Sequence, residues 1–162
     1  MLSAEQHLQI ADELIAADAS KELLPILTGR YPGMVVDDSY AVQRAWTERK
    51  LAEGRRVVGR KIGLTSKVMQ VATGITEPDY GVILDDMVIE SGSVIDFDRF
   101  SNVRIEVELA FVLAKPLTGP HTTIFDVLDA TAYVVPALEI LNSHLVMEGR
   151  TIVDTISDNA AM

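Results

Sequence analysis

The sequence predicts an α+β protein in which N-terminal helices precede a β-rich core. Apolar residues recur at helical spacing within residues 1–54, whereas several later apolar runs alternate with polar residues, which is the period of a strand. The chain has 162 residues, of which 48% are hydrophobic, enough to bury a core. We therefore divide the sequence into a helical segment, 1–54, and a β-rich core, 55–162.

Composition excludes several classes of function. Acidic residues outnumber basic ones 24 to 14, and the formal net charge is −10. Because no cluster of Lys and Arg stands out, we expect no nucleic-acid partner and no anionic membrane partner. The absence of cysteine excludes disulfides, thiolate zinc sites and cysteine nucleophiles. No apolar run reaches membrane-spanning length and no secretory signal is visible, so we expect a cytoplasmic protein.

The helical segment contains two predicted helices. Ser3 and Gln6 form a capping-box pattern, and apolar residues at helical spacing follow it, which predicts a helix over residues 4–19. A loop rich in proline and glycine separates this helix from a second one, which starts at Asp37–Asp38 and ends at Gly54.

Two polar residues stand out early in the core. Lys61 lies in an apolar, glycine-flanked stretch that predicts a strand. A lysine there either extends its ammonium group to solvent or places a partly desolvated cation near an anionic ligand. Asp79 lies in the sequence 77–81, which predicts a turn, and an aspartate there is ordinarily a turn residue. Strand-like runs at 82–84 and 87–89 follow.

The strongest strand pattern spans residues 104–113. Its odd-numbered positions, from 105 to 113, are apolar and are predicted to face the core, while Glu106 and Glu108 point together to the other side. Their backbone anchors are then roughly 6.6 Å apart. At an effective dielectric constant of about 20, two charges at that distance repel by about 2.5 kcal/mol. Either solvent disperses this repulsion, or a cation or shared proton offsets it in a pocket.

A third glutamate follows in the next predicted strand. Thr123 and Asp126 form a capping box for a helix that ends near Ala130, and an extended segment at 133–141 contains Glu139. Three carboxylates without a thiol favour magnesium or manganese over zinc. Paired carboxylates could also perform glycosidase-like acid–base chemistry, which is disfavoured because both project from one strand face.

Other common sites are not indicated. The three histidines show no ligand spacing and are expected at the surface, and the sequence has neither a phosphate-binding glycine loop nor a nucleophile elbow. From the residues alone, the sequence predicts a soluble β-rich domain with a carboxylate metal site.

Five collinear segments resemble a known family. They are 59–67 (GRKIGLTSK), 77–81 (EPDYG), 84–87 (LDDM), 104–111 (RIEVELAF) and 136–139 (PALE). Together they resemble the 2-oxo-hept-3-ene-1,7-dioate hydratases, of the hydratase/decarboxylase group within the fumarylacetoacetate hydrolase superfamily. The resemblance implies a mixed, β-rich fold, a site for Mg²⁺ or Mn²⁺, a small-molecule 2-oxo acid substrate and a homo-oligomer.

The resemblance also assigns roles to residues. Its metal-binding glutamates correspond to Glu106, Glu108 and Glu139, its catalytic lysine and aspartate correspond to Lys61 and Asp79, and a stretch that borders the same pocket in relatives corresponds to 157–160. On this basis the segment 55–162 is a partial metal-binding catalytic core. Relatives continue beyond this stretch, so we expect a fold that is incomplete at its C-terminus.

The resemblance implies one reaction and leaves two alternatives. The expected activity is the metal-dependent addition of water to a 2-oxo-alkenoate, giving a 4-hydroxy-2-oxo acid, in the breakdown of aromatic compounds. The first alternative is a 4-oxalocrotonate-type decarboxylase, which shares the metal site and the 2-oxo acid substrate. The second is a truncated chain that binds metal or joins other subunits without catalysis.

Overall fold

The computed structural model describes residues 1–73, 75–76 and 78–159. Within these ranges the helices are α1 (Ala4–Ser20), α2 (Leu27–Arg30), α3 (Val36–Ala52), α4 (Lys67–Thr73), α5 (Ile124–Ala130) and α6 (Ile152–Asp158). The strands are β1 (Val57–Gly63), β2 (Asp79–Leu84), β3 (Val103–Leu113) and β4 (Thr131–Asn142). This mixture of helices and strands agrees with the predicted α+β class, although helices hold more of the described residues than strands.

The chain folds into two compact units. One comprises Met1–Val103 and Leu141–Met162, and the other comprises Arg104–Ile140. The first unit contains the β1–β2 sheet and the second contains the paired parts of β3 and β4. The sequence-based division after residue 54 stays a prediction. Among the described residues, no helix combines the length and apolar character required to cross a membrane.

Helices α1 and α3 form the core of the first unit. Ile10 and Leu14 of α1 and Val42 of α3 are fully buried in one hydrophobic cluster. The Ser3 hydroxyl accepts the Gln6 N–H at 3.2 Å, and the Gln6 side chain accepts the Ser3 N–H at 2.9 Å. This reciprocal cap fixes the start of α1 as the sequence predicts.

A buried carboxylate connects the starts of these two helices. Asp38 accepts the backbone N–H of Leu2 at 2.9 Å and that of Val35 at 3.1 Å, and His7 Nε2 lies 2.9 Å from its Oδ1. Burial would raise the pKa of Asp38, but these hydrogen bonds outweigh burial and lower it. The charge therefore stays compensated although the side chain is fully buried.

Strands β1 and β2 pair antiparallel, and they correct two sequence-based predictions. Asp79 is not a turn residue but the first residue of β2, where it pairs with Gly63. Glu77 belongs to the same predicted turn and lies outside the described residues. The strand predicted at 87–89 is not formed, because Asp85–Met87 is a 3₁₀ turn. Asp85 accepts the Arg56 N–H at 3.1 Å through its side chain, and the ladder ends there.

The second unit exposes most of its apolar side chains. In β3, the alternating residues from Ile105 to Leu113 are between 45% and 82% exposed, so their predicted burial is wrong for the described chain. The physical reason is that a two-stranded sheet with one short helix, α5, provides no second layer to cover either face. The predicted Thr123–Asp126 capping box does form at the start of α5.

A buried ionic network that the sequence did not predict joins the end of helix α6 to other parts of the first unit. His144, expected at the surface, is 8% exposed, and its Nδ1 lies 2.7 Å from Asp158 Oδ1. Arg150 donates to Asp158 at 2.8 Å, and Asp18 lies 3.4 Å from His144 Nε2. Burial alone would lower the pKa of His144, but hydrogen bonds and ionic interactions with Asp158 and Asp18 raise it to about 9. His144 is therefore protonated at neutral pH.

This network predicts a loss of stability at alkaline pH. Because the folded-state pKa of His144 lies above the ordinary value of 6.5, its contribution is complete below pH 6.5 and is lost as pH rises through about 9. The loss should be on the order of 3 kcal/mol. Urea unfolding across pH 6–10 measures it, and His144→Asn should remove this dependence. His121→Asn, at an exposed histidine, is the control; an equal flattening in both variants would contradict the assignment.

Candidate functional site

Three glutamates of the second unit converge in space. Glu106 and Glu108 project from the same side of β3, and Glu139 lies on β4. One carboxylate oxygen from each of the three residues lies within 4.8 Å of the other two. Glu106 and Glu108 are exposed and Glu139 is half-buried. Three negative charges this close repel one another, and a cation among them would replace that repulsion with attraction.

The pairing of β3 with β4 brings these glutamates together. The Ala114 N–H donates to the Ala130 carbonyl at 2.8 Å, so the end of β3 lies beside the start of β4. The start of β3 then lies beside the end of β4, where Glu139 is found. Pro136 of β4 has no backbone N–H to donate. A strand tolerates a proline at an edge where its backbone has no hydrogen-bonded neighbour.

The donor set fits a hard divalent cation. Carboxylate oxygens are the ligands that Mg²⁺, Mn²⁺ and Ca²⁺ prefer, and magnesium sites commonly combine a few carboxylates with water or substrate oxygens. Three converging carboxylates on neighbouring strands provide such a partial coordination shell and leave positions for other ligands.

The first unit brings Lys61 and Asp79 together on the β1–β2 sheet. Lys61 pairs with Gly81, and Gly63 pairs with Asp79, so the two functional candidates are diagonal neighbours on one face. Both side chains are half-buried. Burial raises the pKa of Asp79, and the Lys61 charge together with backbone N–H donors, including that of Gly63, opposes only part of this effect. A carboxyl group with a raised pKa beside an ammonium group can transfer protons.

Asp79 also lines a cleft of about 430 Å³ in the first unit. Tyr40 and Tyr80 stack at its wall with ring centroids 4.3 Å apart and an interplanar angle of 14°. The remaining lining is mostly apolar and consists of Val36, Ile75, Thr76, Pro78, Ile152 and Ile156. A mostly apolar cleft with one carboxyl group at its wall suits the carbon chain of a small organic molecule.

The C-terminal stretch 157–160 is described in part. Asn159 accepts the Val82 N–H and donates to the Val82 carbonyl, both at 3.0 Å, so its amide occupies the edge of β2 that faces away from β1. The Ser157 hydroxyl donates to the Val153 carbonyl at 2.8 Å. Ala160 lies outside the described residues, and the role of this stretch at a pocket stays a prediction.

Two contributors to these arrangements, Gly63 and Gly81, were not predicted as site residues. The sequence places Gly63 beside the Lys61 stretch and Gly81 in the predicted turn at 77–81, and in the structure each lies directly opposite a functional candidate. Asn159 belongs to the predicted stretch 157–160, but its contact with β2 was not predicted. A signal was present for the glycines, because one flanks Lys61 and the other follows Asp79 in the same short segments.

The chain is similar to characterised hydratases along nearly its whole length. It is 50% identical to the 2-oxo-hept-4-ene-1,7-dioate hydratase of Escherichia coli over 167 residues, covering 99% of this chain and 62% of that protein. It is 40% identical to a 2-hydroxypent-2,4-dienoate hydratase of Pseudomonas putida over 154 residues, covering 94% of this chain and 69% of that protein. No protein-family model matches the chain.

The fold is shared with a solved decarboxylase. The structure of 4-oxalocrotonate decarboxylase from Pseudomonas putida G7, complexed with magnesium and adipate, superposes with a TM-score of 0.93 at 31% sequence identity. The superposition covers 98% of this chain and 60% of that one. The chain thus spans roughly three fifths of the length of several relatives that it matches. Given 40% identity over 69% of one hydratase, together with this shared fold, the chain belongs to the hydratase/decarboxylase family of the fumarylacetoacetate hydrolase superfamily.

Proposed function

We propose that this chain carries the metal-binding and proton-transfer residues of a hydratase. The hydratase adds water to a 2-oxo-alkenoate of the 2-oxo-hept-3-ene-1,7-dioate type, giving a 4-hydroxy-2-oxo acid in aromatic compound catabolism. The observation that carries the proposal is the convergence of Glu106, Glu108 and Glu139 within 4.8 Å. The names of the similar hydratases support the reaction type.

The three glutamates would hold Mg²⁺ or Mn²⁺. A similar structure contains magnesium with adipate and another contains calcium with acetate, which supports a divalent cation and a carboxylate-bearing ligand. When bound, such a cation supplies Lewis acidity toward the oxygens of a 2-oxo acid. Glu106, Glu108 and Glu139 fix its position and balance its charge.

Lys61 and Asp79 would carry out the charge balancing and proton transfers. The enol form of the substrate loses its hydroxyl proton and gains a proton at C5, which gives a 2-oxo acid with a C3–C4 double bond. Water then forms a bond to C4, one of its protons leaves, and C3 gains a proton. Asp79 would accept and return these protons, and Lys61 would balance the negative charge of the substrate carboxylate.

One assay separates the hydratase from the decarboxylase of the same family. The purified 162-residue chain is incubated with a 2-hydroxy-2,4-dienoate and Mg²⁺, and ultraviolet absorbance and carbon dioxide are recorded together. A hydratase removes the conjugated absorbance without releasing carbon dioxide. The same measurement is repeated with 4-oxalocrotonate as substrate. Release of one carbon dioxide for each 4-oxalocrotonate consumed would instead support the decarboxylase, which the shared fold makes the second candidate. Manganese binding without either signal would support a non-catalytic chain.

We also propose that the protein works as a homo-oligomer. The many exposed apolar side chains of the second unit support this, since large amounts of exposed apolar surface are typical of contact regions. Light scattering coupled to gel filtration tests it, and a monomeric mass at micromolar concentration would contradict it.

A further inference from the structure

The β1–β2 ladder places a glycine opposite each of the two proposed proton-transfer residues. Lys61 pairs with Gly81, and Asp79 pairs with Gly63. Diagonal neighbours in an antiparallel ladder are about 7–8 Å apart, which long side chains can span. Lys61 and Asp79 are such a diagonal pair, and the glycines occupy the other two corners of the same face.

Gly81 provides the space in which the Lys61 side chain lies. A Cβ added at Gly81 would be 2.8 Å from Lys61 Cγ and would also overlap Lys61 Cε and Asn159 Oδ1. Contacts this short do not occur for a real Cβ, so any side chain at 81 would displace the lysine. The backbone at 81 does not have the positive φ that favours glycine, so space is the constraint there.

Gly63 does the same for Asp79. A Cβ added at Gly63 would be 3.2 Å from Asp79 Cγ and would overlap Asp79 Oδ1. The Gly63 N–H also donates to this carboxylate. The Asp79 carboxylate therefore lies directly over Gly63, held by a hydrogen bond in a space that only glycine leaves open.

We propose that Gly81 and Gly63 are positioning residues that act through Lys61 and Asp79. By leaving two corners of the ladder empty, they let the lysine and the aspartate lie across the sheet in half-buried, fixed positions. This inference rests on the proposed function for the roles of Lys61 and Asp79. It goes beyond that function by assigning their placement to two residues without side chains.

The same strand supplies a matched control. A Cβ added at Gly59 would be 3.6 Å and 3.7 Å from Ile83 side-chain atoms, which are ordinary van der Waals contacts. Gly59→Ala therefore introduces the same methyl group on β1 without displacing a functional side chain. Gly81→Ala and Gly63→Ala should each lower kcat/KM by roughly 100-fold, as expected for misplacement of a catalytic group by about 1 Å. Part of the loss in Gly81→Ala should appear as a higher KM, because Lys61 balances the charge of the substrate carboxylate. Gly59→Ala should change kcat less than about threefold.

A double-mutant cycle separates positioning from general damage. In a Lys61→Ala background, Gly81→Ala should cause a much smaller loss than in the wild type, because only its overlap with Asn159 remains. In an Asp79→Ala background, Gly63→Ala should cause no further loss, because all the atoms that its Cβ would meet belong to Asp79. Losses that multiply in both backgrounds would overturn the proposal.

A readout without substrate keeps this inference distinct from the proposed function. Acylation of Lys61 by an N-hydroxysuccinimide ester, followed by peptide mass spectrometry, should be several-fold faster in Gly81→Ala than in the wild type and unchanged in Gly59→Ala. Equal Lys61 acylation rates in the wild type and a folded Gly81→Ala would overturn the proposal. A wild-type chain that lacks turnover would refute the proposed function and leave this measurement intact. If Gly81→Ala does not fold, the rate loss in Gly63→Ala and its double-mutant cycle with Asp79→Ala decide.

Discussion

Asp79→Asn is expected to lower kcat by about 10²- to 10⁴-fold, the range typical for loss of a general acid–base group. Asparagine keeps the size of the side chain and removes its ability to exchange a proton. In the wild type, the acid limb of the pH–rate profile should lie above the ordinary aspartate value of 3.8, because burial raises the pKa of Asp79. That limb should be missing in the variant.

Stability measurements distinguish this effect from misfolding. The raised pKa means that folding disfavours the ionised carboxylate, so stability falls as pH rises above the ordinary value of 3.8, and the full cost is present above the folded-state pKa. Asp79→Asn should therefore keep or raise the thermal midpoint at pH 7 while turnover collapses. Asp98→Asn, at an exposed aspartate, should leave both unchanged. A variant of Asp79 that retained wild-type kcat would contradict its assigned role.

Glu108→Gln is expected to reduce metal-dependent turnover by at least about 100-fold, because it removes one charged ligand from the proposed cation. An amide oxygen can still coordinate, but it supplies no negative charge, so the variant should need a higher metal concentration for half-maximal activity. A kinetic titration with Mg²⁺ measures this. Folding should be preserved, because Glu108 is exposed.

The matched control is Glu90→Gln, which changes an exposed glutamate of the first unit. It should have the wild-type metal requirement. Equal metal requirements in Glu108→Gln and the wild type would show that Glu108 does not bind the activating ion.

Local patterns predicted the elements that carry the candidate residues. Alternation along 104–113 gave strand β3, and its period of two placed Glu106 and Glu108 on one side, as the structure has them. The capping boxes at Ser3 and Thr123 likewise gave correct helix starts, because their hydrogen bonds join residues three apart.

Predictions that depended on distant partners were less successful. His144 is buried because Asp158 and Asp18 compensate its charge, and Asp18 lies 126 residues away in sequence. Asp79 is held in β2 by its pairing with Gly63 of β1. The preference of Pro78 for a turn therefore did not decide the conformation of Asp79. The apolar side of β3 was expected to be buried, but it is exposed. Alternation identifies the apolar side of a strand and does not show whether another part of the chain covers it.

The central claim, that three glutamates form one divalent-cation site, is tested most directly by manganese binding to the purified 162-residue chain. Electron paramagnetic resonance follows free Mn²⁺ during a titration, first with the wild type and then with a Glu106→Gln/Glu108→Gln double variant. We predict one Mn²⁺ per wild-type chain, displaced by Mg²⁺, and loss of this site in the double variant but not in Glu90→Gln. Absence of Mn²⁺ binding in the wild type, or equal binding in the double variant, would contradict it.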